Sequence, residues 1–138
     1  TIQDQVLKTL RQRVEEKESA LILITHSLGV AREMADRIYV MYAGNMVETA
    51  SSKEIFKECL HPYTKGLMSC IPKLAGGGIA EGIPGHIPNY LDPPEGCRFA
   101  PRCPYASRRC NEAQPPMFEA APEHYVACYL YEGKSNSK

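Results

Sequence analysis

Apolar residues at the start of the chain follow a helical spacing and then give way to a continuous apolar run. Between Ile2 and Val14 they recur every three to five residues among Gln, Lys, Arg and Glu, which predicts an amphipathic helix capped by Thr1. Residues 20–25 (ALILIT) are typical of a strand buried on both faces of a parallel sheet. Ser27 can cap a second helix that runs to about Asp36. This order of elements predicts the α/β fold class.

A β-hairpin is predicted next. Residues 37–43 (RIYVMYA) carry the Ile, Val and Tyr content of a strand, and Gly44-Asn45 is a two-residue turn signal that joins them to a short strand at residues 46–49. Ser51 and Glu54 fit a capping box for a brief helix that ends near residue 58.

A last helix is predicted from Pro62 to the residue before Pro72. Regular patterning then ends, because residues 72–96 contain three consecutive glycines and five prolines and therefore predict an extended connection. A cysteine-rich segment follows at residues 97–128. The polar residues 132–138 predict a disordered tail.

Composition narrows the choice of protein class. A chain of 138 residues can form one ordinary domain or part of one, which excludes a large multidomain enzyme. Lys and Arg together number 16, as do Asp and Glu together, so no overall electrostatic field attracts the chain to nucleic acid or to an acidic membrane. The longest aliphatic run, residues 20–24, is far shorter than the ~20 residues of a membrane-spanning helix. The N-terminus shows no pattern of a secretory signal.

Four of the six cysteines share one short segment. Cys97, Cys103, Cys110 and Cys128 have the spacing C-x5-C-x6-C-x17-C and are accompanied by prolines and by four arginines. Their thiols can converge on one point, which predicts a metal or cluster site in a cytosolic protein or two disulfides in a secreted one. Cys59 and Cys70 lie outside this spacing, and we interpret them as ordinary small buried residues.

His26 is a candidate for anion chemistry. It lies between the predicted buried strand and the N-terminus of the next helix, the edge at which open α/β sheets bind ligands and where a phosphate oxygen is the natural partner. From position alone we favour the simpler interpretation, a histidine that only hydrogen-bonds a nearby carbonyl.

Several stretches together resemble one family. LITHSLGVAREMAD at residues 23–36, with RIYVMYAGNMVE after it, resembles the histidine-switch region of ABC transporter ATPases. KEIFKECLHPYTKGLMSCIPKL at residues 53–74, GCRFAPRCPYASRRC at residues 96–110 and the later VAC are similar to the C-terminal extension of the oligopeptide and dipeptide importer branch. The HPYT sequence itself predicts a helix start whose Tyr63 packs on the core.

The resemblance implies a fold and a division into domains. The chain would be the C-terminal remnant of a P-loop (RecA-like) ABC ATPase domain, followed by a small irregular Cys-rich domain. The implied domains are residues 1–58 for the ATPase part, 59–131 for the extension with its cysteines, and 132–138 for the tail.

The resemblance also implies catalytic roles. His26 would be the switch histidine, which contacts the γ-phosphate and helps to position the attacking water, with ATP and Mg²⁺ bound in the intact protein. This sequence contains no G-x4-G-K-[ST] phosphate loop, no LSGGQ-type signature and no Walker B carboxylates. We therefore expect the fragment alone to be inactive.

For the cysteines, the implied cytoplasmic setting disfavours disulfides. Neither the x5 nor the x6 spacing matches the short ligand pairs of zinc sites. The importer branch is understood to carry a [4Fe–4S] cluster here. We therefore favour this cluster, with zinc as the alternative. His124 would be the fourth ligand of a three-thiolate zinc site. We expect the cluster to stabilise the segment rather than to transfer electrons.

Partners and location follow from the same resemblance. The implied partners are a second ABC ATPase subunit, two transmembrane permease subunits and an extracytoplasmic substrate-binding protein. The implied location of this chain is peripheral, on the cytoplasmic face of the membrane. The solute, peptide or nickel for example, is left open. The alternative function is a freestanding four-cysteine metal-binding module whose arginines contact nucleic acid, although we expect no nucleic-acid partner.

Overall fold

The chain forms two compact units, Thr1–Asp36 and Arg37–Lys138, in a computed structural model that describes residues 1–71, 82–87, 89 and 91–134. The predicted domain boundary between residues 58 and 59 stays a prediction. Residues 72–81 of the predicted connection and residues 135–138 of the predicted tail lie outside the described residues. Within the described part, no helix is long and apolar enough to cross a membrane.

The first unit contains two helices, both of which the sequence predicts. Helix α1 spans Ile2–Glu16, and helix α2 spans Leu28–Met34. The Thr1 side chain accepts a hydrogen bond from the Asp4 N–H and completes a capping box, while Ser27 Oγ accepts one from the Val30 N–H at 3.4 Å. Within this unit Arg11 Nη1 donates to the carbonyl oxygen of Glu33 at 3.1 Å.

The strand predicted at residues 20–25 is wrong, because these residues adopt no regular structure. Ile22 and Ile24 are 91% and 95% exposed. A strand of a parallel sheet needs neighbouring strands and covering helices, and residues 1–36 contain no strand with which it could pair. The apolar run therefore lacks the partners that its composition requires.

The second unit is built on a four-stranded antiparallel sheet in the order β1-β2-β4-β3. The strands are β1 (Arg37–Tyr42), β2 (Asn45–Ser51), β3 (Phe118–Ala121) and β4 (His124–Val126). The first two form the predicted hairpin, but the turn residues are Ala43 and Gly44, one position earlier than predicted. Both have positive φ, +50° and +81°, as a tight hairpin turn requires.

The described part of the second unit also contains three α-helices: α3 (Ser52–Glu58), α4 (Pro62–Ser69) and α5 (Arg108–Glu112). Ser51 Oγ caps α3 by accepting the Glu54 N–H at 3.2 Å, and Pro62 opens α4 as predicted. The core lies where the hairpin, α3 and α4 meet the start of the cysteine-rich segment. Its buried members are Val40, Tyr42, Ala43, Val47, Ala50, Ile55 and Phe99.

The cysteine-rich segment shares the sheet of the hairpin. Strand β4 pairs with β2 through the register Glu48 to Val126, and the Ala127 N–H donates to the Val47 carbonyl oxygen at 2.8 Å. The described residues thus form a mixed α/β structure with an antiparallel sheet, whereas the parallel sheet expected around residues 20–25 is not formed.

Candidate functional site: the cysteine segment and a buried carboxylate

The four cysteines of the predicted site lie in or near short elements. Cys97 and Cys103 flank a 3₁₀ turn at Ala100–Arg102, Cys110 lies within α5, and Cys128 begins a second 3₁₀ turn just after β4. The Cys97 N–H donates to the Cys110 carbonyl oxygen at 2.7 Å, which holds the two backbones side by side. Gly96 permits this approach, because a Cβ there would lie 2.3 Å from the same oxygen.

The four thiol sulfurs are close enough to influence one another. Burial raises the pKa of Cys97, Cys103 and Cys128, for Cys128 to about 11. Charge on the other cysteines of the set raises the pKa of these three thiols further. Without a compensating cation, the surroundings of Cys97, Cys103 and Cys128 therefore favour the thiol form of these three side chains.

Backbone N–H groups are directed at the sulfur atoms. The N–H groups of Phe99 and Ala100 hydrogen-bond to Cys97, that of Tyr105 to Cys103 and that of Leu130 to Cys128, and each bond lowers the pKa of its thiol against the larger effect of burial. The Ser107 N–H lies 3.5 Å from Cys110 Sγ. Such donors stabilise thiolates, so the loops carry the hydrogen bonds that thiolate ligands use.

A preformed site for a single ion is not seen. None of the six cysteines forms a disulfide, and Cys59 and Cys70 are half-buried. Among the described residues, no group of three or more His, Cys, Asp or Glu side chains is arranged to hold a metal ion. One zinc ion would need its sulfurs about 2.3 Å from a common centre. The donor chemistry therefore fits thiolate ligation, but the arrangement does not fit one zinc ion without movement.

His124 has a different partner from the zinc that sequence reasoning considered. Its Nε2 lies 2.7 Å from Oε1 of Glu48, a carboxylate with no exposed surface. Glu48 also accepts the Leu60 N–H at 2.6 Å and the His61 N–H at 3.0 Å. This carboxylate thus joins β2, the turn before α4 and β4.

His61 of the HPYT sequence completes this buried polar cluster. It is 1% exposed, and its Nδ1 accepts the Tyr63 N–H at 3.0 Å, so it caps α4. Burial lowers the pKa of His61 to about 4, against a smaller opposing effect of the Glu48 charge. The Tyr63 ring packs on Tyr42 and Phe99 of the core, with ring centroids 4.6 and 5.6 Å apart. The predicted packing role of HPYT is thus observed.

Sequence reasoning missed Glu48 and its link to His124. Glu48 is a single acidic residue in a short strand that the pattern predicts as an ordinary hairpin strand. Its burial depends on β4, which lies 76 residues further along the chain and which the sequence pattern did not predict. The signal in the sequence that could have indicated this role was Glu48 itself, the only charged residue in an otherwise uncharged strand.

The four arginines near the cysteines all have partners within the chain. Arg98 donates to the Ala43 carbonyl oxygen, and Arg102 donates to the carbonyl oxygens of Ile83 and Pro84. Arg108 pairs with Glu112, and Arg109 pairs with Glu132 while its guanidinium lies 4.2 Å from the Tyr129 ring centroid. These contacts account for the arginines without nucleic acid, and no observation favours the nucleic-acid alternative.

His26 is exposed and lies in the bend before α2. The Ser27 N–H beside it donates to Thr25 Oγ1 at 3.0 Å, and Ser27 caps the helix, so the imidazole precedes a helix N-terminus as predicted. Within residues 1–36 no hydrogen bond of its ring is seen. The interpretation that it simply hydrogen-bonds a nearby carbonyl is not supported in this structure.

Comparison with known proteins gives a consistent result. Residues 47–110 match the family described as oligopeptide/dipeptide transporter, C-terminal region. The oligopeptide transport ATP-binding protein AppD of Bacillus subtilis is 44% identical over 133 residues, which cover 96% of this chain and 40% of that protein. The dipeptide transport ATP-binding protein DppD of Caldanaerobacter subterraneus is 42% identical over 131 residues, 94% of this chain and 40% of that protein. The oligopeptide transport ATP-binding protein OppD of Salmonella typhimurium is 40% identical over 130 residues, 94% and 38% of the two chains. The chain spans about 40% of the length of these relatives.

Proposed function

Because this chain is a homologue of oligopeptide and dipeptide transport ATP-binding proteins, we propose that it forms part of the ATP-hydrolysing subunit that energises ABC import of peptides or a related solute such as nickel. The match over 94–96% of the chain carries this proposal. A second ATPase subunit, two permeases and an extracytoplasmic binding protein are the proposed partners. The subunit would lie on the cytoplasmic face of the membrane.

His26 is the proposed catalytic residue. Its exposed imidazole at the start of a capped helix can approach a phosphate oxygen, where it would position the γ-phosphate and the attacking water. ATP and Mg²⁺ require a phosphate cradle and carboxylates that this sequence lacks. Residues 1–138 alone are therefore expected to be inactive.

The test uses the intact ATP-binding protein that contains this chain. His26→Ala should lower ATP turnover at least about a hundredfold while ATP still binds, because the variant lacks the group that positions the γ-phosphate and the attacking water. His86→Ala is the matched control, because His86 is an exposed histidine of the other unit. Equal turnover of the two variants would contradict the role of His26, and turnover by residues 1–138 alone would contradict the predicted inactivity.

We propose that Cys97, Cys103, Cys110 and Cys128 hold a [4Fe–4S] cluster in the intact protein, with zinc as the alternative. The N–H donors at the four thiols support thiolate ligation, and a cube binds its four thiolates on separate irons, which allows them to lie further apart than around one ion. When bound, the group would offset the burial that now raises the thiol pKa values.

The test is anaerobic purification with visible spectroscopy and analysis of iron, acid-labile sulfide and zinc. About four irons and four sulfides per chain are expected for a [4Fe–4S] cluster. Cys103→Ser should lower the iron content, whereas Cys59→Ser and Cys70→Ser should not. A colourless protein that contains zinc and no sulfide would favour the zinc alternative.

A further inference from the structure

Cys128 lies in a different part of the second unit from the other three cysteines of the predicted site. Strand β3 is at the edge of the sheet and pairs with β4, and Cys128 follows β4 at the start of the 3₁₀ turn Tyr129–Tyr131. Residues 118–132 are therefore one continuous stretch, here called the strap, in which Cys128 is the only cysteine.

The strap lies outside the hydrophobic core of the second unit. The buried core residues come from the hairpin, α3 and Phe99, and in the described part of the chain none comes from the strap. Val126 of the strap is fully buried but does not belong to this core. Cys97 and Cys103, by contrast, pack against it. The strap can therefore separate while the core stays assembled, as the less stable parts of native proteins do.

Two side chains of the strap fasten it to the turn before α4. His124 Nε2 lies 2.7 Å from Oε1 of Glu48, and the same oxygen accepts the Leu60 N–H at 2.6 Å. The Tyr131 hydroxyl donates to the Leu60 carbonyl oxygen at 3.0 Å. The segment that carries Cys128 is thus held to one turn at both ends, through Glu48 at one end and directly at Leu60 at the other.

The buried carboxylate of Glu48 stays paired when the strap separates. It keeps the N–H groups of Leu60 and His61 as donors and loses only its bond to His124. The pairing between β2 and β4 that must also break is two register pairs long. Because hydrogen bonds to charged groups are stronger than neutral ones, the His124 bond is the stronger of the two fastenings.

Other contacts of the strap are exposed to solvent. Arg109 of α5 pairs with Glu132, and Arg37 Nη2 donates to the Glu123 carbonyl oxygen at 2.6 Å. Exposed ion pairs contribute little to stability. The contacts of His124 and Tyr131 are more buried and therefore hold the strap more strongly.

We propose that the strap opens from the second unit as one piece, and that His124 and Tyr131 hold it closed and so act as positioning residues for Cys128. Cys128 is then the last of the four thiols to be placed. Its role as a ligand rests on the proposed function, whereas the strap is a property of the metal-free chain. Absence of iron and zinc from the intact protein would overturn that ligand role and leave the strap unaffected.

The test is alkylation of Cys128 by iodoacetamide in the metal-free full chain, measured by mass spectrometry at constant pH and at urea concentrations below the unfolding midpoint. Opening of the strap exposes less surface than unfolding of the whole unit. The rate at Cys128 should therefore rise with urea less steeply than the unfolding constant measured by tyrosine fluorescence. Equal steepness would overturn the proposal, because Cys128 would then react only after the whole unit unfolds.

Variants show which bonds hold the strap. Without urea, Tyr131→Phe should raise the rate at Cys128 about fivefold, and His124→Leu, which removes a bond to a charged group, at least about tenfold. His124→Gln can still donate to Glu48 and should react at nearly the rate of the unaltered chain. Tyr125→Phe is the matched control on the strap, because the Tyr125 hydroxyl has no hydrogen-bond partner among the described residues. If Tyr131→Phe and His124→Leu react at the rate of this control, His124 and Tyr131 do not hold the strap.

Discussion

Replacement of Glu48 by Gln is the most direct test of how the second unit is held together. The carboxylate is fully buried and accepts three hydrogen bonds, from the Leu60 N–H, the His61 N–H and His124 Nε2, at 2.6, 3.0 and 2.7 Å. Because Gln and Glu side chains have nearly the same volume, the variant tests charge and hydrogen bonding rather than packing.

The expected magnitude follows from the positions of these bonds. Oε1 accepts from Leu60 and His124, and an amide oxygen can replace it, whereas the amide NH₂ in place of Oε2 would face the His61 N–H. An unsatisfied buried donor is destabilising by about 1–3 kcal/mol, and loss of charge from the two remaining bonds removes roughly 1 kcal/mol each. Glu48→Gln should therefore lower the free energy of unfolding by about 3–5 kcal/mol.

Urea unfolding followed by tyrosine fluorescence measures this change. All eight tyrosines lie beyond residue 36, so the signal reports the second unit. With a slope of about 2 kcal/mol/M, the midpoint should fall by roughly 2 M. Glu95→Gln, an exposed control, should change the free energy by less than about 0.5 kcal/mol. A midpoint for Glu48→Gln equal to that of the control would refute the buried carboxylate as a stabilising centre.

Three further predictions concern protonation, thiol reactivity and backbone approach. Since burial lowers the pKa of His61 to about 4, the second unit should have its full stability above pH 6.5 and lose stability as the pH falls towards 4. His61→Asn, which keeps a cap for α4, should make the urea midpoint less dependent on pH over that range. The raised pKa of Cys128, about 11, should slow its alkylation by iodoacetamide. At pH 8 the metal-free folded chain should react at Cys128 more than about tenfold more slowly than the unfolded chain. Equal rates measured by mass spectrometry would contradict this. Gly96→Ala would place a Cβ 2.3 Å from the Cys110 carbonyl oxygen and should destabilise the second unit by about 2–3 kcal/mol in urea, whereas Gly82→Ala, with open space around it, should not.

Local features of the fold were predictable because their causes are local. Thr1, Ser27 and Ser51 begin helices through hydrogen bonds to residues three positions away, and Pro62 suits the first turn of α4 because its φ is fixed and it has no N–H to leave unpaired. The hairpin was predicted with an error of one residue, since Ala43 rather than Asn45 takes the second positive φ. Caps and turns act within a few residues, so a single sequence contains the information that specifies them.

Features that depend on distant partners were not predictable in the same way. The apolar run at residues 20–25 has strand composition, but strand formation requires neighbours that residues 1–36 do not supply. Conversely, β4 is only three residues long and exists because β2 and β3 flank it. The cysteine spacing predicts a shared site for four thiols, which stays a prediction, and nothing in it indicated that His124 would contact Glu48.

The exposed run at residues 20–24 has a consequence for the chain in concentrated solution. It contains no charge, proline or glycine, and Ile22 and Ile24 are almost fully in water. Uncharged segments of this kind pair edge to edge with copies of themselves, which is the first step of β-aggregation. We therefore expect these five residues to promote association of the chain, and a charge introduced at Ile22 to reduce that association without disturbing the second unit.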